Sequence, residues 1–326
     1  MQADSSIDIA PARSAAVAAR GSAASASRAA LPFVAGSAVL GTIGVFVHAA
    51  AADPLTATWF RCAFGLLALT AWLLWRGQLG ALRLRRRALA PVLLASVLLL
   101  ASWALFFAAI ERISTAMAVV LFHVQPFWVL LLGAWLFGAA VSRRRLAATC
   151  AAMAGLALAT GLVLGTPGSE GGPPAGYWTG VAWCLVGALC MAGVTLAAKQ
   201  LADLPAGVLA WWQCAIGAAA LWVFPAASGW PTSGASWAWL SGLGLVHTGL
   251  AYSLLYAGIA RLNTDRIAAL QFVYPAVAII VDRLYFGLTL SSVQLLGVAL
   301  MAAAVWFAES ERQRNDASRL RRTPER

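Results

Sequence analysis

Three polar residues interrupt one of the most apolar stretches of the chain. The stretch FHVQPFWVLLLGAWLFG, residues 122–138, carries His123, Gln125 and Pro126 near its start. A histidine can bind a polar ligand or exchange a proton near neutral pH, and a proline inside a helix frees a backbone carbonyl one turn earlier. Because Gln125 would point about 200° around a helix from His123, we expect His123 to face the ligand. The alternatives are a histidine that bonds a neighbouring helix and a proline that only kinks its own.

A second apolar stretch repeats the pattern with more polar groups. Five of its residues follow at i, i+3, i+4, i+7 and i+11, which is one face of a helix: Gln271, Tyr274, Pro275, Ala278 and Asp282. An amide, a phenol and a carboxylate on one face predict a polar surrounding. Asp282 lies at a depth similar to that of Arg61. The two either form a structural ion pair or act in gating or proton coupling, and Asp282 could instead turn to Arg283 or another donor.

Aromatic residues complete the candidate site. Tyr252 shares a helical face with Thr248 and Tyr256, whereas His247 points away from that face. Trp103 is a candidate aromatic wall. The candidate binding residues are Trp103, His123, Tyr252, Gln271 and Tyr274, with Pro126 and Pro275 as helix breaks and Arg61 and Asp282 as gating or coupling residues.

The elements that must position these side chains are membrane-spanning helices. Of the 326 residues, 61% are hydrophobic and 11% are charged, whereas a soluble domain has about 25% charged residues. Apolar runs long enough to cross a bilayer, which takes about 20 residues, recur along the chain. We predict an all-α integral membrane protein with ten spans, near residues 31–50, 57–75, 89–110, 115–138, 146–165, 177–198, 205–226, 236–259, 266–288 and 291–308.

The distribution of basic residues predicts the orientation of these spans. Arginine and lysine accumulate in cytoplasmic loops of membrane proteins. With the N-terminus inside, twenty of the 23 basic residues face the cytoplasm and Arg112 alone faces outside. This asymmetry explains the net charge of +11 better than nucleic-acid binding does. We therefore expect a multi-pass protein of the plasma membrane, the inner membrane of a bacterium, with both termini cytoplasmic.

The chain also repeats itself. When residues 108–127 are laid over residues 257–276, Arg112 meets Arg261 and Pro126 meets Pro275. The repeated unit holds five spans, an odd number, so the second copy enters the membrane from the opposite side, and such inverted repeats build a central site between them. The predicted organisation is a disordered cytoplasmic tail, two five-helix repeats and a charged cytoplasmic tail, over residues 1–30, 31–165, 177–308 and 309–326.

Three stretches carry a family resemblance. Residues 41–65, GTIGVFVHAAAADPLTATWFRCAFG, are similar to the first two spans of the EamA family of the drug/metabolite transporter superfamily. Residues 122–138 resemble its fourth span, and residues 247–287 resemble its eighth and ninth. The family commonly has Gly-Glu at the end of spans four and nine, whereas Ala139 and Leu288 stand in the place of the glutamates here. The resemblance implies ten spans in two inverted EamA-like repeats.

The resemblance also implies a function. It suggests a secondary transporter that exports a small metabolite, such as an amino acid or a related compound, by alternating access between the repeats. Aromatic residues, a histidine and few charges favour a zwitterionic or nearly neutral substrate. The alternatives are a passive channel and an intramembrane enzyme or flippase acting on a lipid-linked substrate; an enzyme would need a clustered catalytic constellation, which the sequence does not offer.

The expected partners are few. They are the small-molecule substrate and the lipid bilayer, with no nucleic acid. Three histidines dispersed at positions 48, 123 and 247 give no basis for a metal site, and no cofactor is expected. Proton coupling, exchange and uniport all stay open as energy sources, and so do a monomer and a homodimer as assembly states.

Overall fold

The computed structural model describes residues 29–113, 115–138, 141–160, 176–287 and 291–320. Within these ranges the regular secondary structure is entirely helical. Nearly all of the predicted N-terminal tail lies outside the described residues, and so do residues 161–175, which include the end of the predicted fifth span and most of the segment between the two predicted repeats.

Eight of the described helices are long and apolar enough to cross a membrane. They are α1 (Ala29–Ala50), α2 (Pro54–Trp75), α3 (Arg86–Ile110), α4 (Met117–Phe137), α6 (Tyr177–Gln200), α7 (Ala206–Ser228), α8 (Gly234–Arg261) and α9 (Thr264–Phe286). Two further helices, α5 (Arg143–Ala159) and α10 (Ser292–Leu320), lie where the fifth and tenth spans are predicted. The prediction of an all-α, multi-pass membrane protein is confirmed, while ten spans and an inverted repeat stay predictions.

The last helix departs from expectation at its end. The tenth span is predicted to end near residue 308, but α10 continues to Leu320. Its final turns, ESERQRNDASRL, contain glutamate, arginine, glutamine and alanine, all of which have high helix propensity.

Local chemistry sets several helix ends. Asp53 precedes α2, and its carboxylate accepts hydrogen bonds from the backbone N–H groups of Leu55 and Thr56, at 3.0 and 2.9 Å; Pro54 occupies the first helical position, which needs no N–H donor. Helices α4 and α9 both end at a glycine with positive φ, Gly138 at 63° and Gly287 at 67°. Glycine adopts this left-handed conformation without a steric penalty.

Helices α4 and α9 are each broken where their prolines lie. The first is regular over Thr115–Phe122 and again over Gln125–Phe137, and the second over Thr264–Leu270 and Val273–Phe286. Proline has no N–H, so Pro126 and Pro275 leave the carbonyls of the residues four positions earlier, Phe122 and Gln271, without their usual helical donor. Helix α8 is instead widened, with a π-helical segment over Leu243–Leu250.

The helices pack into a bundle that exposes apolar side chains. Helix α3 lies along α6, α5 along α10, and α2 between α7 and α8. Gly155 and Gly297 bring α5 and α10 together so closely that a methyl group at Gly155 would stand 2.7 Å from the Gly297 carbonyl oxygen. Large apolar side chains point outward, including Trp135 at 79% and Leu284 at 78% exposed. This outer surface suits lipid, while the buried polar groups described below face the interior.

Candidate functional site

The two broken helices bring His123 and Tyr274 together. The imidazole and phenol rings stack with their centroids 5.8 Å apart and their planes at 13°. Phe272, in the break of α9, lies 6.2 Å from the same imidazole. His123 is buried, with 8% of its surface exposed. The breaks therefore place one predicted binding residue from each half of the chain in direct contact near the middle of the helices.

The hydrogen bond of His123 fixes its tautomer. Its Nδ1 lies 2.7 Å from the carbonyl oxygen of Val119, and a carbonyl can only accept, so Nδ1 carries the proton. In a neutral ring Nε2 is then an acceptor. Among the described residues no donor bonds to that atom. The histidine thus uses one nitrogen to hold its ring and leaves the other open.

The two glutamines near these breaks differ in their surroundings. Gln125 donates from Nε2 to the hydroxyl of Thr195 in α6, at 3.2 Å, so it ties α4 to α6 and does not share the surroundings of His123. The Oε1 atom of Gln271 is buried and accepts no hydrogen bond from the described part of the chain. A buried acceptor without a donor is costly, so Gln271 is a candidate contact for a donor group of a ligand.

Arg61, Trp103 and Tyr252 form a second cluster. The guanidinium carbon of Arg61 lies 4.8 Å from the centre of the Trp103 ring, a cation–π distance. Trp103 and Tyr252 meet edge to face, with centroids 6.5 Å apart. Tyr274 lies within electrostatic range of both Arg61 and Tyr252, so the second cluster adjoins the first.

A small cavity lies at this second cluster. Its walls come from α2, α3, α7 and α8: Cys62, Leu99, Trp103, Ala210, Gln213, Cys214, Thr248 and Tyr252. It offers about 10 Å³ to the centre of a water molecule, near the least that one water needs. A metabolite would fit only after the surrounding helices move apart.

Gln213 belongs to this site but was missed by the sequence analysis. It is buried in α7, its Oε1 accepts a hydrogen bond from the Tyr256 hydroxyl, and its Nε2 has no acceptor among the described residues. The available signal was its isolation, since Gln213 is the sole amide within AGVLAWWQCAIGAAAL, residues 206–221. A lone amide in a membrane helix usually faces the protein interior.

Asp282 does not pair with either expected arginine. In the described part of the chain it forms no ion pair with Arg61 or Arg283. Its carboxylate instead faces α1, where a methyl group added at Gly44 would lie 3.4 Å from Oδ1. Arg61 turns the other way, toward Trp103 and Thr248. Arg61 and Asp282 therefore form no ion pair among the described residues, while Asp282 lies within electrostatic range of Tyr274 in the first cluster.

His247 lies on a different side of α8 from Tyr252. Its Nε2 is 2.8 Å from the hydroxyl of Thr42 in α1, and its ring contacts Phe46 at 4.4 Å. It is fully buried within the π-helical segment of α8. Widened turns of this kind are frequent at functional sites, and here the segment also carries Thr248 to the cavity.

The sequence matches a known family over most of its length. The model of the EamA-like transporter family matches residues 27–161 and again residues 178–309. This chain belongs to the EamA-like transporter family. Together with the eight apolar helices, this membership makes it a multi-pass membrane protein of a transporter family.

Two relatives of this EamA-like transporter carry the same general description. It is 25% identical over 288 residues to the uncharacterized transporter YxxF of Bacillus subtilis (strain 168), covering 88% of this chain and 91% of that protein. It is 29% identical over 274 residues to an uncharacterized transporter of Archaeoglobus fulgidus, covering 84% and 93%. A crystal structure with 20% identity has the same fold, with a TM-score of 0.76 over 86% of this chain and 96% of that one.

The geometry of this EamA-like transporter suits reversible binding. Buried donors and acceptors lie among aromatic side chains on helices from both halves of the chain. Two of the helices are interrupted next to their prolines, and proline is a common cause of a bend in a helix. Such an arrangement can hold a small polar molecule through hydrogen bonds and release it when the helices rearrange.

Proposed function

We propose that this protein is a secondary transporter that exports a small metabolite, such as an amino acid or a related compound, by alternating access. The substrate binds between two inverted five-helix repeats, in the region bounded by His123, Tyr274, Trp103, Tyr252 and Gln271. The protein acts in the plasma membrane of a bacterium with both termini in the cytoplasm.

The observation that carries this proposal is the contact between His123 and Tyr274. Each ring comes from a broken helix in a different half of the chain, and they stack at 5.8 Å. On the helices that form the two clusters, Nε2 of His123, Oε1 of Gln271 and Nε2 of Gln213 lack partners among the described residues. Unpaired acceptors and donors on these helices favour a ligand that carries both kinds of group, as an amino acid does.

The helix packing supports two related halves. Helices five positions apart along the chain lie against each other, namely α2 with α7, α4 with α9, and α5 with α10. If a two-fold axis exchanges each helix with the one five positions away, the contact of α3 with α6 must be matched by a contact of α8 with α1. Both contacts are present. Repeats related in this way rock against each other around a fixed central site.

The function is tested by counterflow in liposomes. The full chain is reconstituted into vesicles preloaded with one unlabelled amino acid, and uptake of the same labelled solute is followed across a panel of amino acids and related metabolites. A carrier accumulates the labelled solute transiently, whereas a channel only equilibrates it. We expect accumulation of at least one solute and at least about tenfold slower uptake in His123→Ala, because the mutant loses both the stacked ring and its open acceptor.

A second histidine provides the matched control. His48 is exposed at the end of α1, and among the described residues its ring contacts one other ring, that of Phe286, at 5.0 Å. His48→Ala should leave counterflow within about twofold of the wild-type rate, as expected for a surface substitution. Equal losses in both variants would remove His123 from the site, and equilibration without accumulation would identify a channel.

A further inference from the structure

Arg61 is a buried cation without an anion. It keeps 8% of its surface exposed, and its charge is permanent because guanidinium does not lose its proton in proteins. Within the described ranges no carboxylate lies at ion-pairing distance from it. Its Nε makes a long hydrogen bond, 3.4 Å to the Thr248 hydroxyl oxygen, and its guanidinium also bonds to the neutral hydroxyl of Tyr252; neither partner carries a negative charge. A buried charge is retained when something compensates it, so the missing anion points to a ligand.

Gln213 supplies a second unused donor at the same cavity. The Tyr256 hydroxyl donates to its Oε1, and this bond turns the Nε2 group to the other side. That Nε2 is buried without an acceptor among the described residues, and Gln213 keeps 3% of its surface exposed. Gln213 lines the cavity directly, while Arg61 lies against two of its walls, Trp103 and Thr248.

The composition of the walls narrows the ligand chemistry. The described lining holds two aromatic side chains, two thiols, the Thr248 hydroxyl, an amide and two aliphatic side chains, with no acidic and no basic group, so Arg61 behind the walls is the nearest cation identified. A phosphate dianion would need more positive charge than one guanidinium provides. A carboxylate carries one negative charge, and its two oxygens can accept several N–H groups at once.

We propose that Arg61 and Gln213 bind the carboxylate of the transported solute, with the solute's apolar part against Trp103 and Tyr252. This inference rests on the proposed transport function and makes the substrates small monocarboxylates, amino acids among them. It also reassigns Arg61 from a gating or coupling residue to a binding residue. Because the cavity now has room for about one water, carboxylate binding requires the four helices that form its walls to move apart.

The experiment compares solutes that differ only in the carboxylate. The pairs are L-phenylalanine with L-phenylalaninamide, L-leucine with L-leucinamide, and phenylacetate with phenylacetamide. Each solute is tested for counterflow with the full chain in liposomes and, separately, for its ability to raise the melting temperature of the purified full chain in detergent. The second readout reports binding to the folded protein and does not require transport.

Four variants locate the effect. Arg61→Gln removes the charge and should weaken carboxylate binding at least about 30-fold, as expected when one partner of a buried charge pair is lost. Arg61→Lys keeps the charge but loses the planar fork and should bind with intermediate affinity. Gln213→Leu removes the second donor but keeps the charge, so carboxylate affinity should fall by less than in Arg61→Gln. Arg283→Gln is the matched control, because Arg283 is exposed in α9 and should bind as the wild type does.

Each outcome decides between the two proposals. If the carboxylates exchange and raise the melting temperature in an Arg61-dependent way, while their amides do neither, both the carboxylate site and the transport function are supported. Amides that exchange as well as the acids, or carboxylate effects that persist in a folded Arg61→Gln protein, overturn the carboxylate site and leave the transporter. Arg61-dependent stabilisation without counterflow keeps the site and overturns transport. No stabilisation and no exchange by any acid of the panel overturns the carboxylate site.

Discussion

At the scale of single residues, the site depends on side chains that leave part of their hydrogen-bonding capacity unused. His123 holds its ring with Nδ1 and keeps Nε2 open, while Gln213 is held by Tyr256 through one amide atom and keeps the other open. Fully paired polar groups rigidify a protein interior, whereas open ones cost free energy until a partner arrives. The unused atoms therefore mark where a ligand supplies what the protein lacks.

The stacked pair gives the first prediction at this scale. Tyr274→Phe keeps a ring against His123, so counterflow should stay within about threefold of the wild-type rate if stacking is what Tyr274 contributes. Tyr274→Leu removes the ring and should slow counterflow about three- to tenfold, since ring contacts add roughly 0.5–1.5 kcal/mol beyond their buried area. Initial rates in liposomes check both variants. A Tyr274→Phe protein as slow as Tyr274→Leu would show that the hydroxyl, not the ring, is what matters.

Asp282 carries the second prediction. Its carboxylate has no ion-pair partner in the described part of the chain and faces Gly44 of α1. If it couples transport to protons, Asp282→Asn should keep counterflow, which needs no gradient, and lose accumulation driven by an imposed pH difference. Labelled-solute uptake with and without that difference separates the two activities. Gradient-driven uptake that survives in Asp282→Asn would leave the carboxylate with a structural role only.

At the scale of elements, α4 and α9 touch most closely where the second half of α4 meets the first half of α9. A methyl group at Gly133 would lie 2.7 Å from Cγ2 of Thr264, at the start of α9. The first half of α4 packs against α6, where the Cys184 thiol donates a hydrogen bond to the Ala118 carbonyl. The second half of α9 packs against α1 beside Gly41. Both helices are interrupted at their proline breaks, and the two halves of each helix pack against different neighbours.

This contact predicts a stability effect. Gly133→Ala should lower the free energy of unfolding by about 1–3 kcal/mol, because the added methyl group overpacks the contact between α4 and α9. Gly80→Ala is the control, since nothing lies within 4 Å of a methyl group there. Melting temperatures of the purified variants in detergent measure the difference. A Gly133→Ala protein as stable as the control would mean that the contact between α4 and α9 accommodates the added methyl group.

The elements were largely predictable because each span is a long apolar run, and the breaks were predictable because proline marks them. The contacts of the site were less so. Periodicity placed Tyr252 and Tyr274 on polar faces, but it could not tell that Arg61 turns toward Trp103 and not toward Asp282. That choice depends on how α2, α3 and α8 pack, which no single helix encodes. Gln213 was not predicted because a single isolated amide forms no periodic pattern along a helix.

At the scale of the whole molecule, the predicted orientation makes this conformation one that is closed toward the cytoplasm. Under that orientation the inner ends of α5 and α9 face the cytoplasm, and Arg145 of α5 forms an ion pair there with Asp265 of α9. The two side chains are mostly buried, 19% and 14% exposed. The pair joins the two predicted repeats just beyond the Gly133–Thr264 contact, so it is placed to hold the inner end shut.

The ion pair supplies the last prediction. Asp265→Asn removes the carboxylate that links α9 to the partly buried Arg145 of α5, and breaking a buried ion pair on one side is unfavourable, so the inner end should open more often. A cysteine placed by Ala268→Cys, one turn further into α9 and fully buried now, would report this in a background whose native cysteines are replaced. An impermeant maleimide applied from the cytoplasmic side should react about tenfold faster in Asp265→Asn, and the exchanged pair Arg145→Asp with Asp265→Arg should restore the slow rate.

Arg143→Gln, which removes an exposed charge two positions away from Arg145, should leave the rate unchanged. If Asp265→Asn reacts as slowly as the parent, the inner end is held by helix packing and the ion pair is not its lock.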